Sequence, residues 1–387
     1  MRPSILLYAL SLLVLNSAWA GGSLAGGYGH RAWLDPQGAV WVQGSNLHGQ
    51  LGNAGITYRD KPVHPLGMVQ MVQIATGLDH VLALRADGTL WGWGYGDVGQ
   101  VGATFRTVQI LDSLGVDVLA LYTAERQPVR IALPPLVEVV AGARFSMAIA
   151  RNGTLWAWGA NGSGQLGLGD PLDRYLPMPI RGLTGIAHLA AGYVHSLAIN
   201  EEGKLYAWGD NKFGQLGDGT TQQRWKPFPI SGMPPILDMV GGEAFSMALD
   251  RNGQLWSWGD NKFGQLGDGT TISSLIPKPV PGASDVMAIA AGRFHGLALS
   301  RDGSLYSWGD NEFGQLGQGD KVGRSVPTRI TGLPTITSIA CGAAFSMAMG
   351  TDGVLYAWGD NRYLQLGPYG PAMEFAWLEP RATAPGQ

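Results

Sequence analysis

A single cysteine, Cys341, stands among 387 residues, so no disulfide framework can organise the chain. Cys341 falls where related stretches carry Ala191 and Ala291, the place of a small buried side chain and not of a nucleophile. Charge is scarce as well. Asp, Glu, Lys and Arg together make up 14 % of the chain, and the net charge is −3. No run of Lys or Arg occurs, which leaves nothing to neutralise a nucleic-acid backbone or an anionic membrane. Catalytic motifs are missing: there is no Gly-x-x-x-x-Gly-Lys-Ser/Thr, no His-Glu-x-x-His and no Gly-x-Ser-x-Gly. The apolar run from Ile5 to Leu15 is too short for a comfortable membrane span.

That run has another reading. Arg2 precedes it, and Ala18-Trp19-Ala20 offers a small-x-small cleavage site before Gly21, the layout of a secretory signal peptide over residues 1–20. The chain is expected to be secreted or periplasmic, with no membrane insertion after cleavage.

What the sequence has in abundance is glycine (59), tryptophan (14) and repetition. The stretch Leu205-Tyr206-Ala207-Trp208-Gly209 returns as Leu255-Trp256-Ser257-Trp258-Gly259, and 209–221 is identical to 259–271. The glycine closing this aromatic run occurs at Gly44, Gly94, Gly159, Gly209, Gly259, Gly309 and Gly359. Seven copies at a near-constant spacing, one of them longer, mark a repeat array. Each copy holds an alternating run such as Ser246-Met247-Ala248-Leu249 and then a turn such as Asn252-Gly253 or Asp302-Gly303. We read this as a two-residue hairpin with both turn residues at positive φ. The aromatic strand follows, and a Pro-marked segment such as Pro227-Phe228-Pro229 completes the unit. Proline cannot donate to a ladder, so this last strand is expected at the outer edge.

Four strands in each of seven units predict an all-β protein, a seven-bladed β-propeller with four antiparallel strands per blade. Residues 21–387 form one propeller with an insertion around 103–133. Inside it, 108–112 and 116–121 are expected to pair as an extra hairpin. The N-terminal strands are expected to close the ring by sharing a blade with the last aromatic strand and the tail around 375–383.

The pattern Ala-Gly-x-x-His-Ser-x-Ala-Leu, followed by Asp-Gly-x-Leu-Tyr-x-Trp-Gly-x-Asn-x-x-Gly-Gln-Leu-Gly, resembles the repeat of the regulator of chromosome condensation family. Gly-Gln-Leu-Gly begins at Gly49, Gly164, Gly214, Gly264 and Gly314, and two copies deviate. The resemblance implies a seven-bladed propeller. It also implies, as one alternative, guanine nucleotide exchange on a small GTPase, which in the founder is contacted by a wedge projecting from a blade. Exported relatives of this architecture, similar to the propeller-type β-lactamase inhibitor protein, bind an enzyme through one face.

Internal copies separate scaffold from exception. His30, His80, His195 and His295 occupy an offset where the other copies have Phe145, Phe245 and Phe345, so we read these histidines as space-filling. Asp-Asn pairs such as Asp210-Asn211 recur, and Asx side chains serve turns. No calcium loop is matched. We therefore expect no catalytic residue, no metal and no cofactor. Symmetry breaks at two residues after the glycine of Ala-Gly, and a ring there gives the candidate protein-binding set: Tyr28, Asp79, Arg144, Tyr193, Glu243, Arg293 and Phe294. Tyr and Arg are favoured at interface hot spots. A second divergent set (His48, Asp97, Lys212, Phe213, Phe263, Phe313, Arg362, Tyr363) is read as blade packing where Phe repeats. The expected function is a secreted or periplasmic, non-enzymatic, monomeric scaffold that binds another protein and no nucleic acid. A second alternative is a lyase or hydrolase at the central channel mouth, using Asp79, Glu243, Arg144 and Arg293.

Overall fold

In a computed structural model the described residues are 23–103, 107–111, 117–121, 124–283 and 285–368. For 107–111 and 117–121 only the strand pairing is described. The signal-peptide reading of 1–20 and the tail strand around 375–383 lie outside this set.

Each repeat folds into one blade, because its four segments alternate apolar residues at a period of two and are separated by turns. Blade 1 spans 24–63, blade 2 spans 71–131, and blades 3 to 6 span 136–180, 186–229, 236–279 and 286–329. Six sheets are four-stranded and antiparallel. In blade 7 the described strands are Ile336–Cys341, Phe345–Gly350 and Leu355–Gly359. The chain is a seven-bladed propeller of four-stranded antiparallel blades. The Pro-marked segments are the outer strands, as expected.

The insertion holds the anticipated hairpin, with Thr107–Leu111 paired to Asp117–Leu121 as a separate two-stranded sheet. It lies between the third strand of blade 2 (Leu90–Tyr95) and that blade's outer strand (Ala124–Ile131).

Two expectations need correction. The N-terminal strands do not share a blade with the last repeat. Leu24–Gly26, His30–Leu34, Val40–Gly44 and Arg59–Val63 pair with one another in that order, since one contiguous repeat already supplies every strand of its sheet. The hairpin turn is also not a two-residue one. Gly253 has φ of 80°, while Asn252 is not among the positive-φ residues. The Gly253 amide donates to the Asp250 carbonyl at 3.0 Å, and the Asp250 amide donates to the Gln254 carbonyl at 3.0 Å. This is a type I turn followed by a left-handed glycine. The Asp250 carboxylate fixes it by accepting from the Asn252 and Gln254 amides at 2.8 and 3.0 Å.

The core lies between blades. Trp93, Trp158, Trp208, Trp258, Trp308 and Trp358 are fully buried. Each indole donates to the carbonyl of the Gln in the preceding blade's glycine loop, at 2.8 to 3.0 Å. One joint differs. At the equivalent position blade 1 carries Gln43, opposite Arg31 in the ladder, where other blades pair Ser146 with Trp158 or Ser246 with Trp258.

The recurring histidines belong to the same joints. Ser246 Oγ donates to the Gln215 carbonyl at 2.7 Å, so the 2.9 Å contact between His195 Nε2 and Ser246 Oγ has the imidazole N–H as donor. His80 to Ser146 and His295 to Ser346 repeat this at 3.0 and 2.9 Å. The ring lies flat on a glycine: a Cβ on Gly192 would come within 2.1 Å of His195, and one on Gly142 within 2.0 Å of Phe145. Phenyl and imidazole fill the same slot.

Burial lowers the pKa of His80 and His295 to about 3 and of His195 to about 4, below the 6.5 of the unfolded chain. Below pH 6.5 the unfolded state then binds more protons, so stability is full above 6.5 and falls as pH drops toward 4. His195→Phe copies the side chain of sister blades. It is expected to flatten the pH dependence of the urea midpoint between pH 4 and 6.5 by about one proton. An unchanged slope would count against burial as the cause.

Candidate protein-binding face

The turn from inner to second strand and the long glycine loop from third to outer strand open on the same face. The backbone shows this directly. The amide after the marker glycine donates to the carbonyl of the second variable turn residue: Tyr95 to Asp79 at 2.7 Å, Ala160 to Arg144 at 2.8 Å and Asp310 to Phe294 at 2.9 Å. The two divergent sets therefore form one surface. Within it the first variable residues make a closed circuit. Tyr28 N donates to Leu78 O, Leu78 N to Ala143 O, Ala143 N to Tyr193 O, Tyr193 N to Gly242 O, Glu243 N to Arg293 O, Arg293 N to Ala343 O and Ala343 N to Gly27 O, at 2.9 to 3.3 Å. Each blade's turn is hydrogen-bonded to the next around the mouth of the central channel.

Of the candidate residues, Tyr28, Tyr193, Glu243 and Arg293 stand at this inner circuit, and Asp79, Arg144 and Phe294 one residue further out. All seven are half-buried. Across blades 4 to 6, Arg293 pairs with Glu243, lies over the Tyr193 ring at 6.0 Å and over Phe294 at 4.8 Å, and Phe294 packs on Phe263 at 4.8 Å between centroids. The hydrogen bond that Arg293 Nε donates to the Glu243 carboxylate raises the Arg293 pKa further. Across blades 1 to 3, Arg144 pairs with Asp97, and Asp79 accepts from Gln50 Nε2 at 3.1 Å. Burial pushes the Asp79 carboxyl up, and His48 and Arg144 only partly offset it. Asp97 is also raised by burial, but Arg144 and Gln100 outweigh this and hold it low. Where blades 7 and 1 meet, Tyr363 lies 5.9 Å from both Tyr28 and Tyr58.

Phe213 and Phe263 are not blade packing. They are 40 % and 37 % exposed, and Lys212 and Lys262 lie over their rings at 5.5 and 5.3 Å. Loop order comes instead from polar side chains. Gln265 Oε1 accepts from the Phe263 amide at 2.8 Å and its Nε2 donates to Asp260 at 3.0 Å, while Asn261 Oδ1 accepts from the Leu266 amide at 2.9 Å. With these bonds made, the backbone leaves Phe263 on the rim. The clue lay in the charge beside it, Lys212 or Lys262, since a lysine next to a phenylalanine suits a solvent-facing loop.

Arg144 and Arg293 are each paired with a carboxylate. Burial raises the pKa of the Cys341 thiol, against a hydrogen bond with Ser346, as fits a packed side chain. Among the described residues no group of three or more His, Cys, Asp or Glu gathers to hold a metal.

Comparisons with known proteins agree with this architecture. The RCC1-like domain model matches residues 21–238, and the regulator of chromosome condensation (RCC1) repeat model matches 252–299 and 302–349. The chain is 30 % identical over 166 residues to the ultraviolet-B receptor UVR8 of Arabidopsis thaliana, covering 42 % of this chain and 34 % of the receptor. It is 36 % identical over 140 residues to the RCC2 homolog of Danio rerio, covering 36 % of this chain and 26 % of that protein. The matches thus span about a third or less of these relatives. Among solved structures, yeast RCC1 (Prp20) bound to Kap60 is 25 % identical with a TM-score of 0.76, over 95 % of this chain and 86 % of that one. Prp20p of Saccharomyces cerevisiae, described with its binding to Gsp1p and histones, is 27 % identical with a TM-score of 0.75, over 91 % and 88 %. By repeat, blade count and sequence match together, the chain belongs to the RCC1-like domain family, the regulator of chromosome condensation propellers.

Proposed function

We propose that this chain is a non-enzymatic, monomeric protein-binding propeller that docks a protein partner, and no nucleic acid, on the face described above. The observation that carries this reading is the arc of Tyr193, Phe213, Phe263 and Phe294 interleaved with Lys212, Lys262 and Arg293, because aromatic and arginine anchors dominate the energetics of protein interfaces. The similarity to Prp20p, which binds Gsp1p, histones and Kap60, supports a protein partner.

The same similarity favours a second, finer reading, guanine nucleotide exchange on a small GTPase. It weighs more than the exported scaffold, which rests on residues 1–20 alone. The two readings separate by experiment. A mature start near Gly21, read by N-terminal sequencing, belongs to the exported scaffold. An intact Met1 in cytosol, with accelerated release of fluorescent GDP from a small GTPase, belongs to exchange.

Docking on this face is tested by Phe213→Ala combined with Phe263→Ala. The two side chains are 40 % and 37 % exposed and Phe263 also packs on Phe294, so the fold should be kept at a cost of about 1–2 kcal/mol. Retention of the partner in affinity capture should fall by about tenfold or more. Undiminished capture by a folded double variant would rule out this face.

A further inference from the structure

The central channel holds about 180 Å³, and Leu78, Ala143, Ala343, Tyr193 and Arg293 line it where it opens on the docking face. Among the described lining residues Arg293 alone carries a charge. Its partner Glu243 does not line the channel, so the ion pair presents its cationic end there. Arg293 donates to Glu243 through Nε, and among the described residues its two terminal nitrogens make no hydrogen bond. The Glu243 bond thus fixes the guanidinium and leaves open the edge that grips a carboxylate end-on. A phenol stands beside it. Arg293 Cζ lies 6.0 Å from the centroid of the Tyr193 ring, and the Tyr193 hydroxyl is buried without a hydrogen-bond partner. A buried hydroxyl left unpaired is costly, so an unused donor adjoins an unused fork.

Size and sign name the ligand. Small-molecule sites usually span about 300–1,000 Å³, so this channel takes a group of only a few heavy atoms. The cation and the hydroxyl donor select an anion, and the apolar walls at Leu78, Ala143 and Ala343 select a short hydrocarbon stem. We propose that the channel mouth binds a carboxylate on a short aliphatic stem, gripped by Arg293 and the Tyr193 hydroxyl. Two sources share this chemistry: a free short-chain carboxylate, or a glutamate side chain of the docked partner. The second rests on the docking face proposed above.

Sodium butyrate is the probe, and butyramide, the same shape without the charge, is its control. Two signals report binding: the ¹³C carboxyl resonance of labelled butyrate, and the ¹³Cζ resonance of Tyr193 in tyrosine-labelled protein. Tyr193→Phe assigns the second by removing it. Butyrate should shift the Tyr193 signal saturably, and butyramide should bind at least about tenfold more weakly. Arg293→Gln removes the charge and keeps a donor for Glu243, so butyrate affinity should fall by about tenfold or more. Tyr193→Phe removes a hydroxyl that has no partner in the protein, so it should fold as the native chain does and bind butyrate severalfold less. Equal binding of butyrate and butyramide, or butyrate binding indifferent to Tyr193→Phe, would overturn the site. N-acetylglutamate N-methylamide separates the two sources. It should match butyrate if the occupant is a partner's side chain, whose backbone stays outside the channel. It should fail if the occupant is a free acid enclosed by the channel. A failed carboxylate site with capture still sensitive to Phe213 and Phe263 leaves the docking face standing. Butyrate binding with insensitive capture removes the face and leaves the free acid as occupant.

Discussion

Trp258→Ala is expected to remove about 3–5 kcal/mol of stability, a large share of the 5–15 kcal/mol typical of folded domains. The indole is fully buried, packs with Leu197, Ile199, Leu216 and Ile230 of blade 4, and donates to the Gln215 carbonyl at 2.8 Å. Truncation opens a cavity between blades 4 and 5 that rigid sheets cannot collapse to fill. The Gln215 carbonyl keeps its bond from Ser246 at 2.7 Å, so the loss is one of packing. Urea unfolding followed by far-ultraviolet circular dichroism measures it. A change below about 1 kcal/mol would mean that the indoles are not what joins the blades.

The second large effect has the opposite sign. At the joint of blades 7 and 1 the Arg31 guanidinium is fully buried. It bonds Gln43 Oε1 at 2.5 Å and lies over Trp33 at 5.4 Å, while its Nε and Nη1 have no partner. Gln365 Nε2 is likewise buried and unpaired. Burial disfavours the guanidinium charge and lowers its pKa. Arg31→Ser together with Gln43→Trp installs the pair used by sister blades and offers an indole to the Gln365 carbonyl. Replacing buried charge with well-packed side chains can add about 1–4 kcal/mol. The urea midpoint of the double variant should rise, and Gln43→Trp alone, which keeps the charge, should not raise it. A midpoint equal to or below that of the native chain would show that this joint is already well satisfied.

Much of this was legible from spacing. Seven glycines at one offset count blades whatever the side chains do, and the prolines mark edges because a missing N–H has only one tolerable place. The inserted hairpin was visible as alternation over residues 108–112 and 116–121. The turn type was not, because Asn-Gly suits two turn geometries and the choice depends on the Asp250 carboxylate. Phe213 and Phe263 were misread because recurrence looks the same whether a residue serves the core or a rim repeated by symmetry. That the two divergent sets share a face was also hidden, since the link is a backbone hydrogen bond between a turn and a loop. Arg31 and Gln43 were visible exceptions to the Ser and Trp of sister copies. Their meaning required knowing that both face a neighbouring blade.

Because one contiguous repeat supplies a whole sheet in blade 1, the molecule has a simple arithmetic of descent. Duplicating a gene segment of one repeat length copies a finished building block, with its indole, glutamine and turn in register, and severs no ladder. The identity of 209–221 with 259–271 is what such copying leaves behind. New recognition can then arise by altering one sector's outward loop while its siblings keep the ring shut.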